Sequence, residues 1–190
     1  MLIFAVLIAA ILVLAAWCLL RIRREYRQGR ELSPATVTGV WALYLFHLGV
    51  TIGAAYVAPW ALPLNPALST AVGAVLIGVG AVMCAAGVVS FHSFQRMSGM
   101  DTSRLVTGGI YAWSRNPQNV GWALALLGIA VWGRSGLALL LTVLFWAIFR
   151  IYVPVEEAFL ESVFGDEYRA YRARSHRYFG PPRRSGESLT

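Results

Sequence analysis

The sequence predicts an all-α, polytopic membrane protein with five transmembrane helices, the N-terminus out and the C-terminus in, followed by C-terminal cytosolic amphipathic helices. Three observations carry that expectation. The 190-residue chain is 58% apolar and only 13% charged, where a soluble domain carries about 25% charged residues. No Asp, Glu, Lys or Arg occurs between Glu31 and Arg96, a run of 64 residues. All but one of the 16 basic residues, every one an arginine, fall on one side when the apolar runs are threaded alternately through a bilayer. A water-soluble fold must alternate polar and apolar faces along its helices and strands, and the charge-free run does not.

The elements follow in order. Residues 2–20 are apolar throughout and run directly into RIRREYRQGR. A signal peptide carries its positive charge before the apolar run; here the charge follows, so the segment reads as a retained first span. The second span extends from Val37 to Leu62, opened by the cap and first-turn pair Ser33-Pro34. Pro63 and Pro66 mark a tight turn, and the third span covers Ser69 to Phe91. Two shorter runs, 117–133 and 135–149, are divided by Gly133-Arg134-Ser135-Gly136. Each falls below the roughly 20 residues of a full crossing, and they read as a tight antiparallel hairpin that only just reaches the far side. With this threading five arginines at 21–30, then Arg96, Arg104, Arg115, Arg150 and six from Arg169 onward lie inside, and Arg134 alone lies outside. That is the positive-inside pattern.

The whole chain, 1–190, reads as a single integral membrane domain. Residues 1–91 form a three-span packing half, 92–180 a cofactor-binding and catalytic half, and 181–190 a flexible tail. In the third span Gly73, Gly80 and Gly87 recur every seven residues on one face with Cys84, the small-residue stripe that lets helix backbones approach in lipid. Tyr44, His47 and Thr51 share a face of the second span and read as bundle-interior groups, with His47 a hydrogen-bonded structural residue. Two cysteines exclude a disulfide framework and a spaced zinc site, and no metal is expected. Arginines at the ends of apolar segments are not the solvated basic face of a nucleic-acid binder, and none is expected as a partner.

Chemistry is expected in the two polar inner segments. Asn116-Pro117 is a turn and helix-start signal, so Arg115 and Asn116 sit at the mouth of the fourth helix. Free backbone N–H groups and the helix dipole favour an anion there. In PVEEAFLESVFGDEYRAYRARSHRYFGPP a 3.6-residue period puts Leu160, Val163, Phe164, Tyr168 and Tyr171 on one face, with Glu161, Arg169 and Arg172 away from it. Glu156 falls on the apolar side, Glu157 at its edge, and Gly165 is a candidate break. An ionisable pair at the membrane edge reads as functional, with Arg150 as a candidate partner.

These residues carry a resemblance. GGIYAWSRNPQNVG, then EEAFLESVFGDEYRAY, then Arg177, resemble the C-terminal half of the isoprenylcysteine carboxyl methyltransferase family. Its pattern is G-x-Y-x-x-x-R-H/N-P-x-Y-x-G, a Glu-Glu pair, and F-G-x-E-Y-x-x-Y before a basic run. The match covers residues 105–180. It implies a membrane-embedded enzyme using S-adenosyl-L-methionine, bound on the cytosolic side by the last spans and C-terminal helices, with a lipophilic acceptor arriving from the bilayer. On that resemblance Tyr111, Arg115, Asn116, Pro117 and Gly121 frame the cofactor pocket from one side, and Glu157, Tyr168 and Tyr171 close it from the other. Three positions depart from the pattern. Asn116 stands where many members have histidine, Asn119 where tyrosine is usual, and His176 where proline is common.

If the acceptor is a carboxylate, no base is needed and Arg150 or Arg177 would hold it. If it is a phenol or enol, Glu156 or His176 is the candidate base. An amphiphilic small molecule, such as a lipidic polyketide or phenolic lipid, is favoured over a prenylated protein cysteine, in a bacterial cell membrane with the site facing the cytoplasm. Membrane lipids are the other expected partners. Two rival readings stay open: an NADPH-dependent membrane reductase of the sterol-reductase type, whose C-terminal motifs are similar, and a non-catalytic membrane scaffold.

Overall fold

The computed structural model describes residues 1–183; most of the expected tail, residues 184–190, lies outside the described residues. The architecture is all-helical. α1 spans Leu2–Arg27, α2 Pro34–Val57, α3 Pro66–Phe91, α4 Phe94–Met97, α5 Pro117–Trp132, α6 Gly136–Phe164 and α7 Asp166–Arg174, with a 3-10 turn at Gly109–Ala112. α1, α2, α3 and α6 are long and apolar enough to cross a membrane. α5 has 16 residues against the 24 of α2, about 24 Å of rise. Apolar side chains such as Val13, Val75, Val82 and Val143 are turned outward, the inverse of a soluble protein. The chain is an integral membrane protein.

Local sequence explains the helix starts. Pro34 and Pro66 open α2 and α3 at the first helical position, where a missing N–H costs nothing. Ser33 Oγ accepts from Thr36 N, and Asn65 Oδ1 from Leu68 N at 3.1 Å. Two boundaries differ from the sequence expectation. α2 stops at Val57, where Ala58 turns left-handed at φ 43°, and residues up to Leu62 are not helical. They pair instead with the α5–α6 turn: Leu62 N donates to Arg134 O at 2.7 Å and Gly136 N to Trp60 O at 2.8 Å. Composition reads this stretch as apolar, but its backbone groups find partners in another turn. The second difference is α6, which does not end near 149. It continues through Pro154 to Phe164 as one 29-residue helix. The bond Pro154 cannot donate is the one to the Arg150 carbonyl.

α3 and α5 pack along their glycines. A Cβ at Gly73 would lie 2.8 Å from the Gly128 carbonyl oxygen, and one at Gly121 would lie 2.6 Å from that of Gly80. The seven-residue glycine stripe is therefore the seam on which the two backbones touch. α1, α2 and α6 share the main core, which includes Ile11, Cys18, Ile22, Leu43, Val50 and Leu141. His47 is buried there, edge-on to Phe145 with centroids 5.8 Å apart, and Nδ1 is 3.5 Å from Thr51 Oγ1. Its Nε2 has no hydrogen-bond partner among the described residues, so the expected structural histidine is only half satisfied there. At the end opposite the α5–α6 turn, the α1–α2 loop meets the segment after α4. Leu32 N donates to Gly99 O at 2.9 Å, and Glu31 accepts from the Thr102 backbone and hydroxyl.

Candidate active site

The inner ends of α5 and α6 are joined by the chain that follows them. Gly165, at φ 53°, breaks α6 from α7, in the left-handed region that glycine tolerates best. α7 turns Tyr168 and Tyr171 inward to form, with Tyr111, a second buried cluster against Phe91, Leu105, Ile110, Leu160 and Phe164. The Tyr171 hydroxyl donates to Tyr111 O at 2.8 Å. The strand-like segment after α7 is laced to the segment before α5. Arg115 N donates to His176 O at 2.8 Å, Asn116 Nδ2 to Arg177 O at 3.0 Å, and Gly180 N to Trp113 O at 3.1 Å.

Glu157 is the node of this arrangement. It accepts on Oε1 from Arg115 Nε at 3.0 Å and Nη2 at 2.9 Å, and on Oε2 from Arg177 Nη2 at 2.6 Å. Arg115 Nη1 donates to Ser175 O at 2.6 Å and to Arg172 O at 3.3 Å. All three guanidinium nitrogens of Arg115 are thus taken within the protein. The hydrogen bonds that Arg177 donates to Glu157 raise its pKa above the ordinary value. Glu156, the neighbouring carboxylate, makes no ion pair among the described residues. Burial, reinforced by the negative charge of Glu156, pushes the Tyr111 phenol well above its ordinary pKa, and burial with Glu157 does the same for Tyr168. Both phenols therefore stay protonated.

An open cleft lies among these groups. It brings together seven of the residues singled out from sequence: Tyr111, Arg115, Asn116, Glu156, Glu157, Tyr168 and Tyr171. Five others do not line it. Arg150 is exposed on α6, and the cations on Glu157 are Arg115 and Arg177 instead. Arg177 reaches Glu157 from outside the cleft. Pro117 is buried at the start of α5, and Gly121 lies in the α3–α5 seam. His176 also stays outside, its Nε2 3.1 Å from Pro181 O.

The cleft also has walls that sequence reasoning missed. Tyr26 enters from α1, stacked on Phe159 with centroids 4.0 Å apart, although α1 was assigned to the packing half. Residues 96–106 supply another side through Arg96, Met97, Asp101, Arg104 and Leu105, and Gln118 and Asn119 contribute the first turn of α5. For the last pair the signal was available, since both sit inside the quoted motif. For Tyr26 nothing in its own segment marks it.

The chain is 41% identical over 71 residues to the protein-S-isoprenylcysteine O-methyltransferase of Schizosaccharomyces pombe, covering 37% of this chain and 30% of that protein. It is 42% identical over 77 residues to the human protein of the same name, covering 39% and 26%. The probable protein-S-isoprenylcysteine O-methyltransferase of Oryza sativa subsp. indica is 32% identical over 110 residues, covering 55% and 58%. The chain thus matches under a third of the length of the first two and just over half of the third. No solved structure matches. The family model for phospholipid methyltransferases matches residues 68–167, a stretch that holds the α3–α5 glycine seam, Arg115, the Glu156-Glu157 pair of α6 and the break at Gly165. Matched over more than half its length, the chain belongs to the phospholipid methyltransferase family.

Proposed function

We propose that this protein is a membrane-embedded methyltransferase that uses S-adenosylmethionine and methylates a carboxylate or hydroxyl oxygen of a lipophilic acceptor. The observation that carries the reading is the contrast between two adjacent carboxylates at one cleft. Glu157 is neutralised by two arginines, while Glu156 makes no ion pair among the described residues. A single uncompensated carboxylate in a partly desolvated cleft favours a cation.

The lining fits the methyl donor. The rings of Phe91, Tyr111, Phe164 and Tyr168 offer aromatic surface for a purine, and the start of α5 faces the cleft through Asn116 and Gln118, where a helix N-terminus favours a carboxylate. When bound, the cofactor supplies an electrophilic methyl group on a cationic sulfonium. A cation bound in the cleft would favour Glu156 as the carboxylate, the form that takes the hydroxyl proton of a phenolic acceptor. Arg115 serves through Glu157, fixing the wall rather than touching a ligand. The buried network of Glu157, Arg115 and the 175–177 segment keeps that wall rigid, and holding reactants in line is worth up to ~7–11 kcal/mol in ideal cases.

The placement of the chain in the bilayer belongs to the same proposal. Five spans, with α5 as the short one, put the N-terminus outside and the cleft at the cytoplasmic face, because the arginine-rich loops all lie at the cleft end and Arg134 at the other. A bacterial inner membrane suits such a chain. The acceptor is then an amphiphile of the lipidic polyketide, phenolic lipid or isoprenylcysteine type, arriving from the bilayer.

Calorimetry on the full chain in nanodiscs tests the reading. Binding of S-adenosylmethionine, and transfer of its labelled methyl group to a component of a membrane lipid extract, is the expected result. Binding of NADPH in its place would turn the assignment to a reductase, and cofactor binding without transfer would turn it to a scaffold.

A further inference from the structure

Tyr44 on α2 and Asn119 in the first turn of α5 are 75 residues apart in sequence and share a hydrogen bond, the tyrosine hydroxyl donating to Asn119 Oδ1. Two further rings hold Tyr44 in place, Trp122 at 5.2 Å and Phe145 at 5.6 Å between centroids, both edge-on. Asn119 lines the cleft, whereas Tyr44 lies behind it. The amide therefore has one end fixed by a half-buried phenol. Its N–H2 end makes no hydrogen bond among the described residues and is not sealed from access.

A primary amide carries an acceptor oxygen and two donor hydrogens on one plane. With the oxygen engaged from α2, the plane is set and the donor end is what the cleft meets. Glu156 lines the same cleft, so the acceptor region presents one carboxyl group and one neutral amide donor. The complement of that pair is a headgroup with an oxygen for the amide and a second atom to be methylated or deprotonated. A purely hydrocarbon end would leave the donor unpaired, and unmade polar contacts are costly.

We propose that Asn119 is a specificity-determining residue that donates its N–H2 to an oxygen of the acceptor headgroup, and that Tyr44 is the positioning residue that fixes that amide. The inference rests on the reading of this cleft as the place where an acceptor meets the methyl donor. It adds a selection by headgroup that the carboxylates and arginines do not provide.

The test measures binding of tail-matched probes to the full chain in nanodiscs: pentadecylresorcinol against pentadecylbenzene, and N-acetyl-S-farnesylcysteine against farnesyl ethyl thioether. The wild-type protein is expected to hold the oxygen-bearing member of at least one pair about tenfold more tightly. Asn119→Ala is expected to bring that pair within about twofold, Tyr44→Phe to reduce the preference several-fold, and the double variant to be no worse than Asn119→Ala, because Tyr44 acts through the amide. Should Tyr44→Phe fail to fold, Asn119→Asp carries the second arm and is expected to abolish the preference for the carboxylate probe. A wild-type protein indifferent to the headgroup, or an Asn119→Ala variant that keeps the preference, overturns the inference. Absence of methyl transfer to either oxygen-bearing probe counts against the proposed function instead, and leaves the binding comparison to decide this point.

Discussion

Arg115 grips Glu157 through two of its nitrogens, and the two side chains are only 8% and 7% exposed. A buried pair of this kind is weak evidence for net stability, but breaking it from one side leaves a charge with no partner in a poorly solvated place. Glu157→Ala and Arg115→Ala are each expected to cost about 3–5 kcal/mol, read by denaturant unfolding in detergent. Arg115→Lys should recover little, because an ammonium cannot reach both the carboxylate and the carbonyl oxygens of Ser175 and Arg172. Losses below about 1 kcal/mol in both alanine variants would remove Glu157 as the structural node.

Glu156 is expected to behave in the opposite way. Having no ion pair to lose, Glu156→Gln should change stability by less than about 0.5 kcal/mol. If Glu156 is the base for a phenolic acceptor, the same variant should lower methyl transfer by about 10²–10⁴-fold. Unfolding and turnover measured on one preparation separate the two glutamates, and equal effects on stability would erase the distinction.

The glycine seam makes a third expectation. Gly121→Ala drives a methyl group against the Gly80 carbonyl, with Met83 Cβ also 2.9 Å from the added carbon. Overpacking of this sort costs about 1–3 kcal/mol. Gly49 on α2 has nothing within 4 Å of an added Cβ, so Gly49→Ala should leave thermal unfolding unchanged or slightly raised. Equal behaviour of the two variants would mean that α3 and α5 are not in such close contact.

The segment 96–106 that walls the cleft is tied down by few groups. Glu31 Oε1 accepts from Thr102 N at 2.5 Å and Thr102 Oγ1 at 2.7 Å, and Asp101 pairs with Arg96 at 3.1 Å. Hydrogen bonds from Ser103, and then Arg96, hold the Asp101 carboxyl below its ordinary pKa of 3.8. A depressed carboxylate contributes order that is fully present above the ordinary value and lost as pH falls through the lowered one. At neutral pH, Glu31→Ala and Asp101→Asn are each expected to speed hydrogen exchange across residues 98–105 several-fold, with α3 unaffected. Unchanged exchange in both would show that the segment is held by packing alone.

The long helices and the sidedness of the charges were legible because both are written in composition. Uninterrupted apolar runs mark α1, α2 and α3, and the recurrence of Gly73, Gly80 and Gly87 marks the α3–α5 seam. Gly165 was legible as a break because its neighbours are helix formers on both sides. The end of α2 was not, since Trp60 and Leu62 are as apolar as the helix before them and only the distant 134–136 turn gives their backbone a partner. The continuity of α6 was not legible either, because the apolar run stops before Arg150 while the helix goes on to Phe164. At the cleft, the motif residues were legible as a set but not their division of labour. Gly121 and Pro117 serve packing, and Arg115 is consumed by Glu157. Asn119 read as the loss of a tyrosine ring; the Tyr44 hydroxyl beside it comes from a helix that no local pattern connects to position 119.

The lacing of residues 113–116 to residues 175–180 bears on how the molecule is built. Helices threaded into a bilayer already satisfy their own backbones and can associate side by side through seams such as Gly80 against Gly121. The cleft obeys a different schedule. Arg115 waits for Glu157, and for the Ser175 carbonyl 60 residues along the chain, so its wall closes only after α6 is in place and α7 has folded back. The wall of the site is therefore complete only in a chain whose C-terminal segment has returned to the start of α5.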